Sequence, residues 1–336
     1  MIPRAILFLA AASAWAQSWV VQTSGTTASL RGVSAVNAQI AWAGGTNGTV
    51  LKTVDGGTTW RPMGPPGTAD LDFRDIEAID DLTVYLLSSG VGLLSRVYKT
   101  ADGGESWTLI HNNPDPKGFL DCMGTWDDEH GIVIGDPLDG RFTVLTTNSG
   151  AALQREKGPQ AERAESAFAS SGTCVFTRGT REAWFGTGGM GGARVFHSTD
   201  GGQTWSVAKV PMRHDSANAG IFSIAFANGL HGVAVGGDFS KPEEAAGNCA
   251  ITQDGGKTWV AATAPPSGYR SAVAYLKEGD MWIATGTSGS DVSLDGGKTW
   301  KKFDGGNYNS MSFTAAGDGW AVGPNGAIAR WVKSRP

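Results

Sequence analysis

The chain has 336 residues, of which 18% are charged, with 49 glycines, 13 tryptophans and a net charge of −5. This length fits one large repeat domain or two ordinary domains. The negative charge gives no electrostatic reason to expect a nucleic-acid partner. Few charges combined with many glycines and tryptophans are typical of short strands joined by tight turns.

The chain begins with a pattern that indicates export. Arg4 precedes an apolar run at 5–14, and Ala14 and Ala16 form a small-x-small cleavage site. We therefore predict that residues 1–16 are a signal peptide and that residues 17–336 form one domain, which is periplasmic or secreted. The apolar run is too short to span a membrane, and no other stretch of the sequence is long enough.

An eight-residue motif centred on Asp-Gly-Gly then recurs along the chain. Its copies are TVDGGTTW at 53–60, TADGGESW at 100–107, STDGGQTW at 198–205, TQDGGKTW at 252–259 and SLDGGKTW at 293–300, with a degenerate copy, TTNSGAAL, at 146–153. Repetition at this period indicates a stacked or circular architecture. Apolar segments precede each copy and another begins at its Trp, which makes four short strands per unit, as in a propeller blade.

Seven segments can be aligned as the first strand of a unit. They are LRGVSAV (30–36), FRDIEAI (73–79), FLDCMGT (119–125), AESAFAS (164–170), IFSIAFA (221–227), YRSAVAY (269–275) and YNSMSFT (308–314). The seventh unit has no Asp-Gly-Gly turn, and residues 19–23 resemble a fourth strand. We therefore predict an all-β, seven-bladed propeller of four-stranded antiparallel blades, closed by an N-terminal strand that joins the last blade and removes an exposed edge.

The motif aspartates have a structural explanation. A carboxylate at this position accepts backbone N–H groups across the turn, the glycines adopt backbone angles closed to other residues, and the tryptophan packs between sheets. We interpret all five as structural residues rather than as calcium ligands or catalytic groups: Asp55, Asp102, Asp200, Asp254 and Asp295.

This motif is the Asp-box, or BNR repeat, and the chain resembles the seven-bladed propellers of the photosystem II stability/assembly factor family. The resemblance covers essentially all of residues 17–336. It implies an exported, non-catalytic scaffold that docks a protein client through a surface that carries arginines. Asp-box propellers also include sialidases, xyloglucanases and sortilin-type receptors, so the motif is more specific for fold than for function.

The channel mouth opposite the Asp-box turns is the expected site, because function usually belongs to the longer loops. The second positions of the seven segments are Arg31, Arg74, Leu120, Glu165, Phe222, Arg270 and Asn309, and Tyr269 and Tyr308 directly precede the last two. Arginines that converge there would bind a protein client or another acidic or anionic ligand. The alternative is that each arginine pairs with a local carboxylate, such as Asp75, Asp121 or Glu165.

Two long loops add further candidates to the mouth. The loops at 135–142 and 236–248 follow second strands and carry Asp136, Arg141 and Asp238. Their Asp-Pro and Asp-Gly dipeptides are mostly turn chemistry. We therefore treat these three residues as candidate binding residues with a structural alternative.

A sialidase-type glycoside hydrolase is the alternative function. Such enzymes combine three arginines with a tyrosine nucleophile activated by a glutamate. Arg31, Arg74 and Arg270 could supply the first group. Tyr269 or Tyr308, with Glu165, could supply the second. The Arg-Ile-Pro element typical of those enzymes is absent from residues 17–336.

The remaining reactive residues predict no metal and no cofactor. Cys122, Cys174 and Cys249 fall in different repeats, and we interpret them as buried small hydrophobes, leaving room for one disulfide without predicting it. His130 and His231 occupy equivalent positions in different blades, too far apart to share a metal. No dinucleotide, haem or flavin motif is present. We expect a monomer.

Overall fold

The computed structural model describes residues 18–332, which form seven antiparallel sheets arranged in a ring. Within these residues there is no α-helix. The predicted all-β, seven-bladed propeller is therefore confirmed. The predicted signal peptide, residues 1–16, lies outside the described residues.

The first four blades follow one another along the chain, each from its inner to its outer strand. Blade 1 contains Leu30–Ala35, Ala41–Gly45, Val50–Thr53 and Arg61–Pro62. Blade 2 contains Phe73–Ala78, Val84–Ser88, Arg96–Thr100 and Thr108–Asn112. Blade 3 contains Leu120–Thr125, His130–Leu138, Arg141–Asn148 and Gln154–Arg155. Blade 4 contains Val175–Arg178, Glu182–Gly186, Arg194–Ser198 and Ser206–Lys209.

The last three blades include one extended sheet. Blade 5 contains Ala219–Phe226, Gly232–Asp238, Cys249–Thr252 and Val260–Ala261, and the short strands Glu165–Ser166 and Gly188–Gly189 extend its inner edge. Blade 6 contains Ala272–Leu276, Met281–Gly286, Gly289–Ser293 and Lys301–Asp304. Blade 7 contains Ser310–Phe313, Gly319–Val322, Ile328–Val332 and, as its outer strand, Ser18–Gln22. Two short 3-10 helices are Gly92–Leu94 and Pro324–Gly326.

The ring is closed by pairing the first described strand with the last. Ser18–Gln22 runs antiparallel to Ile328–Val332. Gln22 also joins blade 7 to blade 1, because its side chain accepts a hydrogen bond from Trp320 Nε1 (3.1 Å) and donates one to the carbonyl of Gly56 (2.9 Å). This is the predicted closure, which covers the edge of the last blade.

Most of the hydrophobic core lies between neighbouring sheets. Large rings from the second strands fill these layers and are almost completely buried: Trp42, Trp184, Trp282 and Trp320. Aromatic residues remove large apolar areas from water, so each sheet is held by the side chains of its neighbours. The blades therefore form one continuous ring of packing contacts.

The inner strand of blade 4 differs from the sequence alignment. It is Val175–Arg178, whereas the segment aligned to this position, 164–170, contributes only the end strand Glu165–Ser166 to the sheet of blade 5. Residues 167–169 are apolar, which is also typical of a buried strand. They are buried in the middle of the ring without forming one. This displacement moves Glu165 away from its predicted place.

The corrected alignment also changes the interpretation of the cysteines. Cys122 lies in the inner strand of blade 3 and Cys174 directly precedes that of blade 4, with their Cα atoms 6.0 Å apart and a disulfide between them. Cys249 is free and buried, and burial raises the pKa of its thiol. All three cysteines are buried, as predicted, and the disulfide between Cys122 and Cys174 links blades 3 and 4.

Candidate functional site

The inner strands of four blades are irregular where they begin. Register shifts skip one residue in each of blades 1, 2, 3 and 5, and the skipped residues are Arg31, Arg74, Asp121 and Phe222. A β-bulge releases a residue from the ladder and redirects its side chain. The sequence alignment placed Leu120 at this position in blade 3, but the residue that occupies it is Asp121.

Two arginines and several aromatic rings line a cavity at this end of the ring. The cavity has a volume of about 280 Å³, and we call it the mouth cavity; its principal residues are Arg31, Arg74, Phe168, Phe222, Phe239 and Tyr269. Phe168 and Phe222 are stacked, with ring centroids 4.0 Å apart. Tyr269 meets Phe222 edge to face at 4.9 Å. The cavity therefore has a cationic side and an aromatic side.

The two arginines differ in how their charge is compensated. Arg74 Nε donates to Asp72 Oδ2 at 2.7 Å, and its Nη1 donates to the carbonyl of Ala169 at 3.2 Å. Arg31 Nε is buried without a hydrogen-bond partner. Burial and the neighbouring Arg74 lower the pKa of Arg31, while Asp72 and Tyr269 oppose this shift. Arginine stays charged under such shifts, so Arg31 presents a positive charge that lacks an ion-pair partner.

Arg270 does not share this environment, although the alignment grouped it with Arg31 and Arg74. It lies before the strand Ala272–Leu276 and is completely buried inside blade 6. Its Nη2 lies 2.5 Å from Asp291 Oδ2, and its Nη1 donates to Ser288 Oγ at 2.9 Å. For this residue the local-pairing alternative describes the structure, with Asp291 as the partner.

The structure also places Glu165 and Tyr308 outside the mouth cavity. Glu165 is buried, accepts a hydrogen bond from Thr187 Oγ1 (2.5 Å) and forms an ion pair with Arg194. Tyr308 packs against Trp19 at 5.9 Å, and burial raises its pKa to about 12. Neither side chain lines the mouth cavity: Glu165 pairs with Arg194 of blade 4, and Tyr308 packs in the core between blades 6 and 7.

Tyr269 is the predicted tyrosine that does line the cavity. Its hydroxyl forms a hydrogen bond with Ser170 Oγ at 3.0 Å, and burial raises its pKa. Tyr269 thus contacts Ser170 and the aromatic side of the cavity, while Glu165 is held by Thr187 and Arg194. The structure does not bring together the tyrosine, glutamate and third arginine that a sialidase-type site requires.

The three loop candidates lie outside the lining of the mouth cavity. Asp136 accepts the backbone N–H of Ala167 at 3.2 Å, and burial raises its pKa to about 6. Arg141 is exposed and donates to the carbonyl of Gly158 at 3.0 Å. Asp238 is buried; burial alone would raise its pKa, but hydrogen bonds from Ser240 and Ser216 lower it overall.

The segment 166–173 closes the channel beneath the mouth cavity, and we call it the plug. It contacts Arg74 of blade 2, Asp136 of blade 3, Phe222 of blade 5, Tyr269 of blade 6 and Ser310 of blade 7. Only a segment that crosses the axis of the ring can touch five blades at once. The left-handed Gly172 (φ +75°) belongs to this crossing, and a side chain there would collide with the carboxylate of Asp75.

Buried carboxylates of blades 2 and 3 surround the plug. Burial, reinforced by Glu77, raises the pKa of Asp75 well above its usual value. Burial and the neighbouring Asp136 likewise raise the pKa of Asp121, and Arg74 opposes this. The charged form of a buried carboxyl is disfavoured because water no longer solvates it. Neither Asp75 nor Asp121 neutralises Arg31 through a direct ion pair.

The Asp-box turns have the repeated geometry of a structural motif. In each of five turns, the aspartate accepts both the backbone N–H and the hydroxyl of the residue four positions later: Thr59, Ser106, Thr204, Thr258 and Thr299. These bonds lower the pKa of Asp55, Asp102 and Asp254 to about 2. Among the described residues, no group of three or more His, Cys, Asp or Glu side chains could hold a metal ion.

No helix within residues 18–332 is long and apolar enough to cross a membrane.

Comparisons with known proteins bear on the motif and on the fold. The family described as BNR/Asp-box repeat matches residues 196–207. No curated protein matches the chain. A structure of YCF48 bound to D1 peptide has a TM-score of 0.66 at 17% identity and covers 94% of this chain and 95% of its own.

Two further solved structures share the architecture. YCF48 from Cyanidioschyzon merolae has a TM-score of 0.60 at 16% identity, covering 93% of this chain and 98% of its own. A streptogramin B lyase has a TM-score of 0.67 at 12% identity, covering 96% and 100%. At these identities the likeness establishes the fold alone. The chain is an Asp-box, seven-bladed propeller with the fold of YCF48, as the sequence predicted.

Proposed function

We propose that this protein is a binding scaffold that takes an acidic segment of a protein client into the mouth cavity. The observation that carries the proposal is Arg31: its guanidinium stands beside Arg74 in an open cavity, and its buried Nε has no partner. Arginine binds carboxylates through paired, charge-assisted hydrogen bonds. A peptide bound to YCF48 supports the proposal, because it is held by a propeller of this same fold.

The contribution of Arg31 to binding can be tested without removing an ion pair from the fold. Arg31→Gln removes the charge of the side chain that lacks an ion-pair partner, and Arg61→Gln is the matched control, since Arg61 is exposed on the outer strand of blade 1. Both variants and the unmodified protein would serve as bait for capture from native extract. A captured protein would then be mapped with overlapping peptides.

We expect one client to be retained by the unmodified protein and by Arg61→Gln, and to be lost by Arg31→Gln. The peptides that bind should contain Asp or Glu, and replacing that residue by its amide should abolish binding. Equal retention by all three baits, or binding of peptides without acidic residues, would contradict the proposal. Equal melting temperatures of the baits are the folding control.

We also propose that the protein is exported and that residues 1–16 are removed. The apolar run that follows Arg4 and the small residues Ala14 and Ala16 support this. The disulfide between Cys122 and Cys174 supports it as well, because disulfides persist in oxidising compartments. Mass spectrometry of the protein from fractionated native cells should find Gln17 at the N-terminus, and an intact N-terminus in the cytosolic fraction would refute export.

A further inference from the structure

We propose that the mouth cavity recognises a two-residue unit, an acidic residue joined to an aromatic one. The arginine side of the cavity holds the carboxylate and the aromatic side holds the ring. This inference rests on the proposed function, that the cavity binds a segment of a protein client. It specifies which side chains the bound segment carries, and it proposes that residues of the plug contribute to the specificity.

The charges that line the cavity favour a ligand with a single anionic group. Asp72 already compensates Arg74, through a hydrogen bond of 2.7 Å to its Nε. Arg31 is then the cation that lacks a counter-ion, and its buried Nε has an unused donor. One carboxylate that reaches the guanidinium of Arg31 from the cavity would balance this charge, whereas a second anionic group would meet Asp72.

The aromatic side of the cavity is a cluster of four rings, one of which is half exposed. Phe222 is its centre: it stacks on Phe168, meets Tyr269 edge to face, and meets Phe239 edge to face at 6.1 Å. Phe239 is 48% exposed although it is a large apolar ring in this cluster. Aromatic rings prefer partners at such distances, so a ligand ring would complete the packing around Phe239 and Phe168.

The plug sets the depth of the cavity and therefore the length of the unit that fits. Phe168, Ala169 and Ser170 contribute to its lining, and the same segment crosses the axis below. A client segment can thus enter from one face only and cannot thread through the ring. A volume of about 280 Å³ lies just below the range of ligand pockets, which starts at roughly 300 Å³, so a short unit fits better than a longer stretch.

Three capped hexapeptides provide the test, with the complete mature protein and titration calorimetry or NMR as the readout. They are Gly-Gly-Asp-Phe-Gly-Gly, the Asp-Ser peptide that lacks the ring, and the Asn-Phe peptide that lacks the charge. Phe168→Leu keeps an apolar side chain on the plug but removes its ring, and Phe303→Leu is the matched control in the outer strand of blade 6. Arg31→Gln and Arg61→Gln repeat the charge comparison.

We expect the Asp-Phe peptide to bind roughly 3- to 10-fold more tightly than the Asp-Ser peptide, the size of effect typical of aromatic pairs. Phe168→Leu should reduce this preference while leaving the Asp-Ser peptide unchanged, and Phe303→Leu should preserve it. Arg31→Gln should weaken both Asp peptides by about 10-fold or more, because a hydrogen bond between charged groups is lost. The Asn-Phe peptide should bind about as weakly.

The two proposals fail in different ways. If Arg31→Gln weakens the Asp peptides but the Asp-Phe and Asp-Ser peptides bind equally, or if Phe168→Leu retains the preference, the aromatic recognition is overturned and the anion site stands. If Arg31→Gln binds as Arg61→Gln does, or if none of the peptides binds up to its solubility limit, both the cavity's function and this inference are overturned.

Discussion

Aspartates stand at both ends of the ring, but their surroundings push their pKa values in opposite directions. In the Asp-box turns, hydrogen bonds from the neighbouring hydroxyl and N–H groups lower the pKa of Asp55, Asp102 and Asp254 to about 2. Beneath the mouth, burial raises the pKa of Asp121, and it raises that of Asp136 to about 6. The first set stabilises turns as carboxylates, whereas burial disfavours the charged form of the second set.

The two ends also differ in how they are built. The Asp-box end repeats one set of contacts, and even the degenerate copy keeps a bond from the N–H of Gly150 to the carbonyl of Glu129. The mouth end depends on contacts that each occur once: the disulfide, the plug and the ion pair of Arg270 with Asp291. Repetition thus spreads stability over many equivalent turns, whereas the single contacts shape a site.

The largest effect should come from breaking a single contact near the mouth. Replacing both Cys122 and Cys174 by alanine removes a disulfide that links residues 52 positions apart, which should cost about 4 kcal/mol by the chain-entropy argument. Chemical denaturation would measure the loss. Cys249→Ala, at a free and buried cysteine, is the control. If the free energy of unfolding falls no more than in the control, the disulfide contributes little. The stability of the mouth end would then be spread over many contacts, as it is at the Asp-box end.

A smaller effect is expected when one of the repeated turns is weakened. Asp254→Asn keeps the shape of the side chain but weakens the hydrogen bonds from Thr258, and at this partly exposed site we expect a loss of about 1 kcal/mol at pH 7. Because the folded pKa is lowered, the carboxylate's contribution is present above about pH 4 and disappears toward pH 2. Melting temperatures across this range should converge; a constant difference would contradict the hydrogen-bonding role.

An effect of the opposite sign is expected for a carboxylate beneath the mouth. Asp136→Asn keeps an oxygen that accepts the N–H of Ala167 but cannot ionise. Since the folded pKa is raised to about 6, protonation stabilises the native protein, and this stability is lost as pH rises from about 4 through 6. The variant should match the unmodified protein near pH 4 and melt at a higher temperature at pH 7.

Asp139→Asn is the matched control for this comparison, since Asp139 is exposed in the same loop. It should follow the unmodified protein at every pH. If Asp136→Asn melts at a lower temperature than the unmodified protein at pH 7, the half-buried carboxylate of Asp136 stabilises the plug in its charged form, and the contrast between the two ends of the ring disappears.

The sequence predicted the Asp-box end well because each turn depends on residues close together in the chain. The Thr-x-Asp-Gly-Gly pattern encodes both its turn and its hydrogen bonds, wherever it occurs. The closing strand was predicted for a similar reason: only one segment was left to complete blade 7. The local turn motif and the number of predicted strands were therefore sufficient to predict the architecture.

The mouth was predicted less well because the direction of a side chain there depends on register. Arg31 and Arg74 reach the cavity as skipped residues in irregular ladders, whereas the regular ladder of blade 6 begins after Arg270, whose side chain turns into its own sheet. A bulge of one residue leaves no clear trace in composition. Glu165 was misplaced because the plug imitates a strand, and its true partner, Arg194, is 29 residues away.

The pairing of Ser18–Gln22 with Ile328–Val332 has a consequence for how the molecule is made. The ends of a chain emerge from synthesis at different times, so the first strand has no partner until the last has been delivered. Until then Trp19, buried in the finished ring, remains without its neighbour Trp331. Such long-range pairing forms slowly, and an incomplete ring exposes unpaired strand edges that are prone to aggregation. The outer edge of blade 7 is therefore covered only after the whole chain has been synthesised.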